Sequence, residues 1–237
     1  MKIEIWSDFT CPFCYIGKRK LDLALEQFDK KQYVNIEYKS YQLDPNAKSE
    51  NRETVYSMLM EKYKLSSGKT REMTGQICEQ AEQVGLTFHF DNLEHTNTFH
   101  AHRLVKYAEK CQKELDLVNL LFYQYFTLNR NIGNKDVLLA LAKELGFDED
   151  EVDELLSLNC YAKAVDHDID LAREIGVNGV PFFIFNEKYA ISGAQPTDVF
   201  LNVLDQLWQE EKDAILTRAE KGKTCKSSYC IGNDCES

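Results

Sequence analysis

Two cysteines near the N-terminus, Cys11 and Cys14, flank Pro12 and Phe13 in IWSDFTCPFCYIGKRKLDLAL, residues 5–25. At this pair an apolar strand pattern gives way to a helical one. A free thiol has a pKa of about 8.5, and the N–H groups and positive dipole end of a helix N-terminus favour its thiolate. Cys11 precedes the helix, and Cys14 follows one turn later on the same face. The spacing predicts a redox couple in which Cys14 resolves a mixed disulfide formed at Cys11.

Two other interpretations of the pair are half of a zinc site and two inert cysteines that pack as small hydrophobes. A structural zinc site usually needs a second pair of ligands at matching spacing, and no other C-x-x-C occurs in the sequence. The strand before the pair and the helix after it disfavour inert cysteines. Redox chemistry is therefore the favoured interpretation, with no metal at this pair.

The elements around the pair indicate an α/β fold with a large all-helical insertion. The patterns predict strands over 2–6 and 33–43, a helix from Pro12 to about Phe28, helical segments from about 52 to 176, a hairpin at Asn186-Glu187 and a helix from Pro196. Because a lone two-stranded unit is marginal, strands from both sequence ends must share one sheet. We expect a discontinuous α/β domain (1–50 and 160–212), an inserted helical domain (51–159) and a cysteine-containing tail (213–237).

A second candidate for the site is Val180-Pro181, in the stretch GVNGVPFFIF (176–185). The pair follows a glycine-containing turn and begins an apolar strand, where a proline is tolerated. A cis X-Pro bond is one device for such a turn. On spacing alone, an ordinary trans-proline is the commoner alternative.

Three separated motifs together resemble a known family. SDFTCPFCYIG at the front, NTFHAHRL (97–104) in the helical block and GVNGVPFF near the end occur in the order found in the thioredoxin-fold DsbA family, and their details are similar to its FrnE-like branch. The resemblance covers roughly residues 2–210. It implies a thioredoxin-like domain interrupted by the helical insertion, and a thiol–disulfide oxidoreductase.

The resemblance also implies roles for particular residues. Cys11 is the nucleophile, Cys14 the resolving thiol, and Pro181 a cis-proline that faces the disulfide. Val180 then offers its backbone groups to a substrate peptide by strand addition. Pro12 and Phe13 join Val180 and Pro181 at the surface where substrate binds.

Departures from the family pattern set further expectations. Phe13 stands where strongly oxidising DsbA enzymes carry histidine, and because it cannot stabilise a thiolate we expect a less oxidising couple. Asp8 is an auxiliary candidate: it relays protons or repels the thiolate, or it is a solvated residue that caps the helix. His102, in NTFHAHRL, is an auxiliary candidate as well, although a structural histidine is the commoner interpretation.

The C-terminal tail carries Cys225, Cys230 and Cys235 at equal spacing. Cys225 and Cys230 are suited to a small disulfide loop that exchanges electrons with the Cys11–Cys14 couple. A soft metal site and a tail of reduced thiols are the alternatives. Three thiols allow three different single disulfides, so the sequence leaves the pairing open.

Charge and composition narrow the function. The net charge of −11, from 28 basic and 39 acidic residues, disfavours nucleic-acid binding, and no apolar run is long enough for a membrane span. The N-terminus lacks a signal-peptide pattern, so we expect a cytoplasmic protein. There is no nucleotide-binding motif, and we expect no cofactor besides the redox-active disulfide. Electrons would come from glutathione or from a dithiol partner such as a thioredoxin-like reductant.

The favoured function is a protein thiol–disulfide reductase or isomerase whose substrates are protein thiols and disulfides. A glutathione-dependent isomerase or a kappa-class-like glutathione transferase is a second hypothesis, although such enzymes generally carry serine at the first motif position. A non-enzymatic holdase or metal-binding protein is a third. The oligomeric state is open.

Overall fold

Four strands form one mixed sheet in the order β2-β1-β3-β4 in the computed structural model, which describes residues 1–50 and 52–222. β1 pairs with β2 in parallel and with β3 antiparallel, so that Ile5 lies opposite Tyr38 on one side and Phe183 on the other. The predicted sharing of one sheet by both ends of the sequence is confirmed. The strands are β1 (Lys2–Ser7), β2 (Asn35–Ser40), β3 (Phe182–Phe185) and β4 (Tyr189–Ser192).

Helices account for most of the remaining described chain. They are α1 (Pro12–Gln27), α2 (Val55–Tyr63), α3 (Ser67–Glu82), α4 (Phe99–Lys110), α5 (Glu114–Phe126), α6 (Lys135–Glu144), α7 (Glu149–Ser157), α8 (Ala162–Glu174) and α9 (Thr197–Gly222), with a short 3₁₀ turn at Lys31–Tyr33. The fold class is α/β, as predicted. Helices α2 to α7 fall within the predicted insertion, while α9 continues beyond residue 212, where the tail was predicted to begin.

The hairpin turn between β3 and β4 is where the sequence predicted it. Asn186 and Glu187 have φ angles of 49° and 57°, the positive values that a two-residue type I′ turn requires. The Asn186 side chain also accepts a hydrogen bond from the Lys2 N–H at 2.6 Å. This contact ties the hairpin to the start of β1.

The sheet is covered on both faces. Ile3 and Ile5 belong to the main core with α1 and α9, where Phe183 meets Phe200 at a ring-centroid distance of 4.9 Å. On the opposite face, Trp6 packs against α8. Strand alternation, which sends successive side chains to opposite faces, produces these two layers.

The helical block is joined to the α/β layers by aromatic packing. Tyr15 of α1 stacks on Phe122 of α5 with ring centroids 5.0 Å apart, and Phe9 meets Phe122 at 5.2 Å. These contacts hold the segment before α1 against α5. Across the described parts of the chain, no helix is both long and apolar enough to cross a bilayer.

Candidate active site

The C-x-x-C pair occupies the first turn of α1. Cys11 is the N-cap residue and Pro12 follows in the first turn, where its missing N–H costs nothing. No side chain caps the helix, so its free N–H groups and positive dipole end lie next to Cys11. Both cysteines are free thiols, with Cys11 4% and Cys14 1% exposed.

The two thiols differ in their surroundings. Burial raises the pKa of Cys14 well above its ordinary value, and the adjacent Cys11 raises it further. The Ser7 hydroxyl and the Asp8 backbone oppose this shift. Cys14 therefore stays protonated at neutral pH, which leaves Cys11 as the thiol suited to first attack.

The loop before β3 meets Cys11 directly. The Cys11 Sγ atom donates a hydrogen bond to the Val180 carbonyl oxygen at 3.6 Å, and the Val180–Pro181 peptide bond is cis. Residues 169 positions apart in the sequence thus form one surface. Phe13, 38% exposed, lies beside this surface.

A cleft of about 790 Å³ opens next to Cys11. Pro12, Phe13, Gly179 and Val180 line it on the α/β side. On the helical side its walls are largely apolar, with Val55, Met58, Leu59, Met73, Ile77, Phe90 and Phe126 among them. This volume is within the usual range for small-ligand sites and is sufficient for a short peptide segment.

One polar pair in the cleft was not found from the sequence. His95 Nε2 and Asp44 Oδ2 are 2.9 Å apart, and both residues line the cleft. This hydrogen bond lowers the pKa of Asp44. Only the turn sequence around Asp44 was a signal, and it predicted a turn rather than a contact with His95.

Asp8 and His102 come together beneath the site. Asp8 is 1% and His102 3% exposed, with Asp8 Oδ1 and His102 Nε2 separated by 3.7 Å. Asp8 Oδ2 accepts a hydrogen bond from the Leu43 N–H at 2.7 Å. Asp8 is thus neither solvated nor a helix cap, and the structure brings together the two auxiliary candidates.

Arg103, the neighbour of His102, points away from the site. Its Nε donates to the Cys160 carbonyl at 2.7 Å, and its Nη2 donates to the carbonyls of Leu155 and Leu158 at the end of α7. The Arg103 side chain therefore caps the C-terminus of α7.

The remaining candidates lie in the tail. Cys225, Cys230 and Cys235 are outside the described residues, so the relay, metal and reduced-thiol interpretations all stay predictions. Within residues 1–50 and 52–222, no three His, Cys, Asp or Glu side chains are grouped so as to hold a metal ion.

Comparison with known proteins places the chain in a family. The sequence profile described as DSBA-like thioredoxin domain matches residues 2–205. Uncharacterized protein YwbO of Bacillus subtilis is 28% identical over 84% of this chain and 92% of its own length. A crystal structure of a probable DsbA oxidoreductase from Streptomyces coelicolor is 33% identical and superposes with a TM-score of 0.84, covering 89% of this chain and 91% of that one.

A more distant structure shares the fold. The cytosolic disulfide reductase DsbM from Pseudomonas aeruginosa is 16% identical with a TM-score of 0.59, covering 87% of this chain and 98% of that one. It has also been determined with GSH. The profile match over nearly the whole chain, together with the Streptomyces structure, shows that this protein is an enzyme of the DsbA family of thiol–disulfide oxidoreductases.

Proposed function

We propose that this enzyme reduces or isomerises protein disulfides through Cys11 and Cys14, as a member of the FrnE-like branch. One observation carries the proposal: Cys11 lies at a helix N-terminus and contacts the Val180 carbonyl, while Cys14 is buried behind it. The first thiol lines the cleft, where an incoming disulfide can reach it, whereas the second lies outside the cleft lining and attacks only after Cys11 has reacted.

The chemistry follows in two exchanges. The Cys11 thiolate attacks one sulfur of a substrate disulfide, forms a mixed disulfide and releases the other substrate sulfur as a thiolate. Cys14 then loses its proton and attacks Cys11 Sγ, which forms the Cys11–Cys14 disulfide and releases the second substrate thiolate. The substrate gains two electrons and the enzyme couple loses them. For isomerisation, a substrate thiol instead displaces Cys11.

The substrate is a polypeptide in an extended conformation. The backbone of Val180 beside Pro181 supports pairing with a substrate strand, a mode that tolerates many sequences. The apolar cleft next to Cys11 is suited to a large side chain near the substrate cysteine. Pro12 and Phe13 complete the binding surface on the α1 side.

We place this activity in the cytoplasm, with glutathione or a dithiol protein restoring the reduced couple and without a metal, nucleic acid or membrane partner. The likeness to a cytosolic reductase determined with GSH is consistent with this placement. The predicted relay through Cys225 and Cys230 would be a route for the same electrons.

The test is a redox titration of the purified protein in glutathione buffers, quenched with an alkylating agent and mapped by mass spectrometry. The expected result is that Cys11 and Cys14 titrate as one two-electron couple, nearer the roughly −270 mV of thioredoxin than the roughly −120 mV of DsbA. C14S is expected to trap a peptide on Cys11, and C11S to trap none. C111S, at an exposed free thiol, is the matched control.

Three outcomes would contradict the proposal. Disulfide exchange that survives C11S would indicate a non-enzymatic binding protein. A Cys11 that forms only a glutathione adduct, with full turnover in C14S, would favour a glutathione-dependent isomerase or transferase. A Cys11 that never pairs with Cys14 would remove the two-step mechanism.

A further inference from the structure

Polar side chains with unused hydrogen-bonding capacity lie beneath the C-x-x-C pair, outside the cleft. Ser7 and His102 are 2% and 3% exposed, and neither Ser7 Oγ nor His102 Nε2 has a hydrogen-bond partner. Both residues line one narrow cavity that has no room for a water molecule. Leaving a buried polar atom without a hydrogen-bond partner destabilises the folded state, so two such atoms in one cavity require an explanation.

The His102 imidazole lies beside the Asp8 carboxylate. Nε2 is 3.7 Å from Asp8 Oδ1 and makes no hydrogen bond. In the neutral tautomer whose hydrogen is on Nδ1, the Nε2 atom carries a free lone pair. Such an atom is a proton acceptor, and the imidazolium formed by accepting a proton would face the Asp8 carboxylate.

Cys14 must lose its thiol proton before it can attack the mixed disulfide. Burial and the neighbouring Cys11 raise the pKa of the Cys14 thiol, yet this thiol must become a thiolate to attack the mixed disulfide. The Ser7 hydroxyl lowers the pKa of Cys14 and so favours its thiolate, although Ser7 Oγ makes no hydrogen bond in this structure. Ser7 thus lies near Cys14 and in the cavity that His102 lines.

We propose that His102, oriented by Asp8, is the base for Cys14, and that the Ser7 hydroxyl carries the proton between them. This inference rests on the proposed function, because it concerns the step in which Cys14 attacks. Ser7 is a relay, and Asp8 is a positioning residue that stabilises the imidazolium.

The Cys14 proton passes to Ser7 Oγ as the Ser7 hydroxyl proton passes to His102 Nε2. The Cys14 thiolate attacks Cys11 Sγ, which forms the Cys11–Cys14 bond and breaks the bond between Cys11 and the substrate sulfur. That sulfur leaves as a thiolate with the electron pair. His102 later returns its proton to solvent.

Other titratable groups in this region are either paired with a carboxylate or remain neutral. Lys39 is paired with Glu37, and Lys106 is bound to Asp168 at 2.7 Å. Burial holds the pKa values of Tyr38 and Tyr125 above their ordinary range, so both phenols stay neutral. Of the titratable groups, Asp8 lies 3.7 Å from His102 Nε2, and Tyr38 and Lys39 of β2 line the same cavity as His102.

The experiment separates the two exchanges in the full-length protein. Reduced enzyme is mixed with a symmetric peptide disulfide, quenched with acid at timed intervals, and analysed by mass spectrometry for the Cys11 mixed disulfide and the Cys11–Cys14 disulfide. The variants are H102N and S7A, with S7T as the conservative variant that keeps the hydroxyl. H167N, at an exposed histidine of α8, is the matched control.

H102N and S7A are expected to slow the second exchange about 100-fold at neutral pH, the usual contribution of a general base, and to let the mixed disulfide accumulate. The rate at which the mixed disulfide forms should stay within about twofold of that of the unsubstituted enzyme. The loss of rate in the second exchange should shrink at alkaline pH, where hydroxide deprotonates Cys14. S7T should recover most of the rate, and H167N should change neither step.

The inference is overturned if the second exchange keeps its rate in H102N and S7A, or if both exchanges slow equally. If H102N fails to fold, the contrast between S7A and S7T decides. Failure of the proposed function looks different: the unsubstituted enzyme would then form no Cys11 mixed disulfide at all.

Discussion

Gly17 of α1 and Pro181 approach so closely that a Cβ atom on Gly17 would lie 2.9 Å from the Pro181 Cγ atom. The same atom would be 3.3 Å from the Phe183 ring. Because Gly17 has no Cβ atom, α1 can lie directly against the loop that contains Val180 and Pro181. This contact therefore determines how close Cys11 lies to Val180.

We expect G17A to slow the formation of the Cys11 mixed disulfide, because the methyl group pushes Pro181 and Val180 away from Cys11. Overpacking of about 1–3 kcal/mol should offset the gain of about 1 kcal/mol in helix propensity. G75A in α3 is the control, since nothing lies within 4 Å of its new Cβ atom. Urea unfolding should show G75A to be stabilised and G17A not. Equal stabilisation of both variants would show that the contact does not matter.

The buried Glu114 gives the stability a pH dependence. Burial raises its pKa to about 7 from 4.5, while its Oε1 atom accepts the Tyr38 N–H at 2.8 Å. Between these two pKa values the folded state binds more protons than the unfolded state, so stability falls as pH rises through this window. E114Q keeps the acceptor without the charge and should remove that fall.

The expected gain for E114Q is about 2–3 kcal/mol near pH 8 and close to zero near pH 4. Urea unfolding across this range measures it, with E72Q, at an exposed position of α3, as the control. The same stability difference at both ends of the range would argue against a titrating Glu114.

Arg103 should matter for stability rather than for chemistry. R103M removes the guanidinium that donates to the carbonyls of Leu155, Leu158 and Cys160, and we expect a loss of about 2–4 kcal/mol in the free energy of unfolding. R173M, whose arginine pairs with Asp170 on the surface, should change stability by no more than about 0.5 kcal/mol. Similar losses in the two variants would contradict the capping role.

Phe13 should influence the redox potential. F13H places a potential cation next to the Cys11 thiolate, which stabilises the reduced couple, so the enzyme should become more oxidising by some tens of mV. Equilibration with glutathione measures this shift. L128H, at another exposed apolar position, should leave the potential unchanged. An equal shift in L128H would assign the effect to surface charge rather than to position.

Local patterns predicted the parts of the fold that local interactions determine. The strand before Cys11, the helix from Pro12 and the turn at Asn186-Glu187 each follow from periodicity or turn chemistry within a few residues. Asp148 illustrates the same point, since its carboxylate accepts the N–H groups of Asp150 and Glu151 at the start of α7.

Local sequence patterns did not predict the contacts between distant segments. The hydrogen bond between Glu114 and β2, the direction of Arg103 and the pairing of His95 with Asp44 depend on how distant segments pack. His102 and Asp8 were each noticed, but nothing in their spacing of 94 positions indicated that they meet. Sequence spacing determines neighbours on one helix or strand, and tertiary packing determines the others.

The pairing of Cys11 with Val180 also has a consequence for how the protein is made. The ribosome synthesises the C-x-x-C segment first, and Val180 follows Cys11 by 169 residues. β1 lies between β2 and β3 in the sheet, so its pairing with β3 also forms only late in synthesis. Under the proposed function, a nascent chain would therefore display both thiols before the loop that binds their substrates has been made. Selective exchange would begin only when synthesis has passed β3, and a chain terminated earlier would carry the two cysteines without that loop.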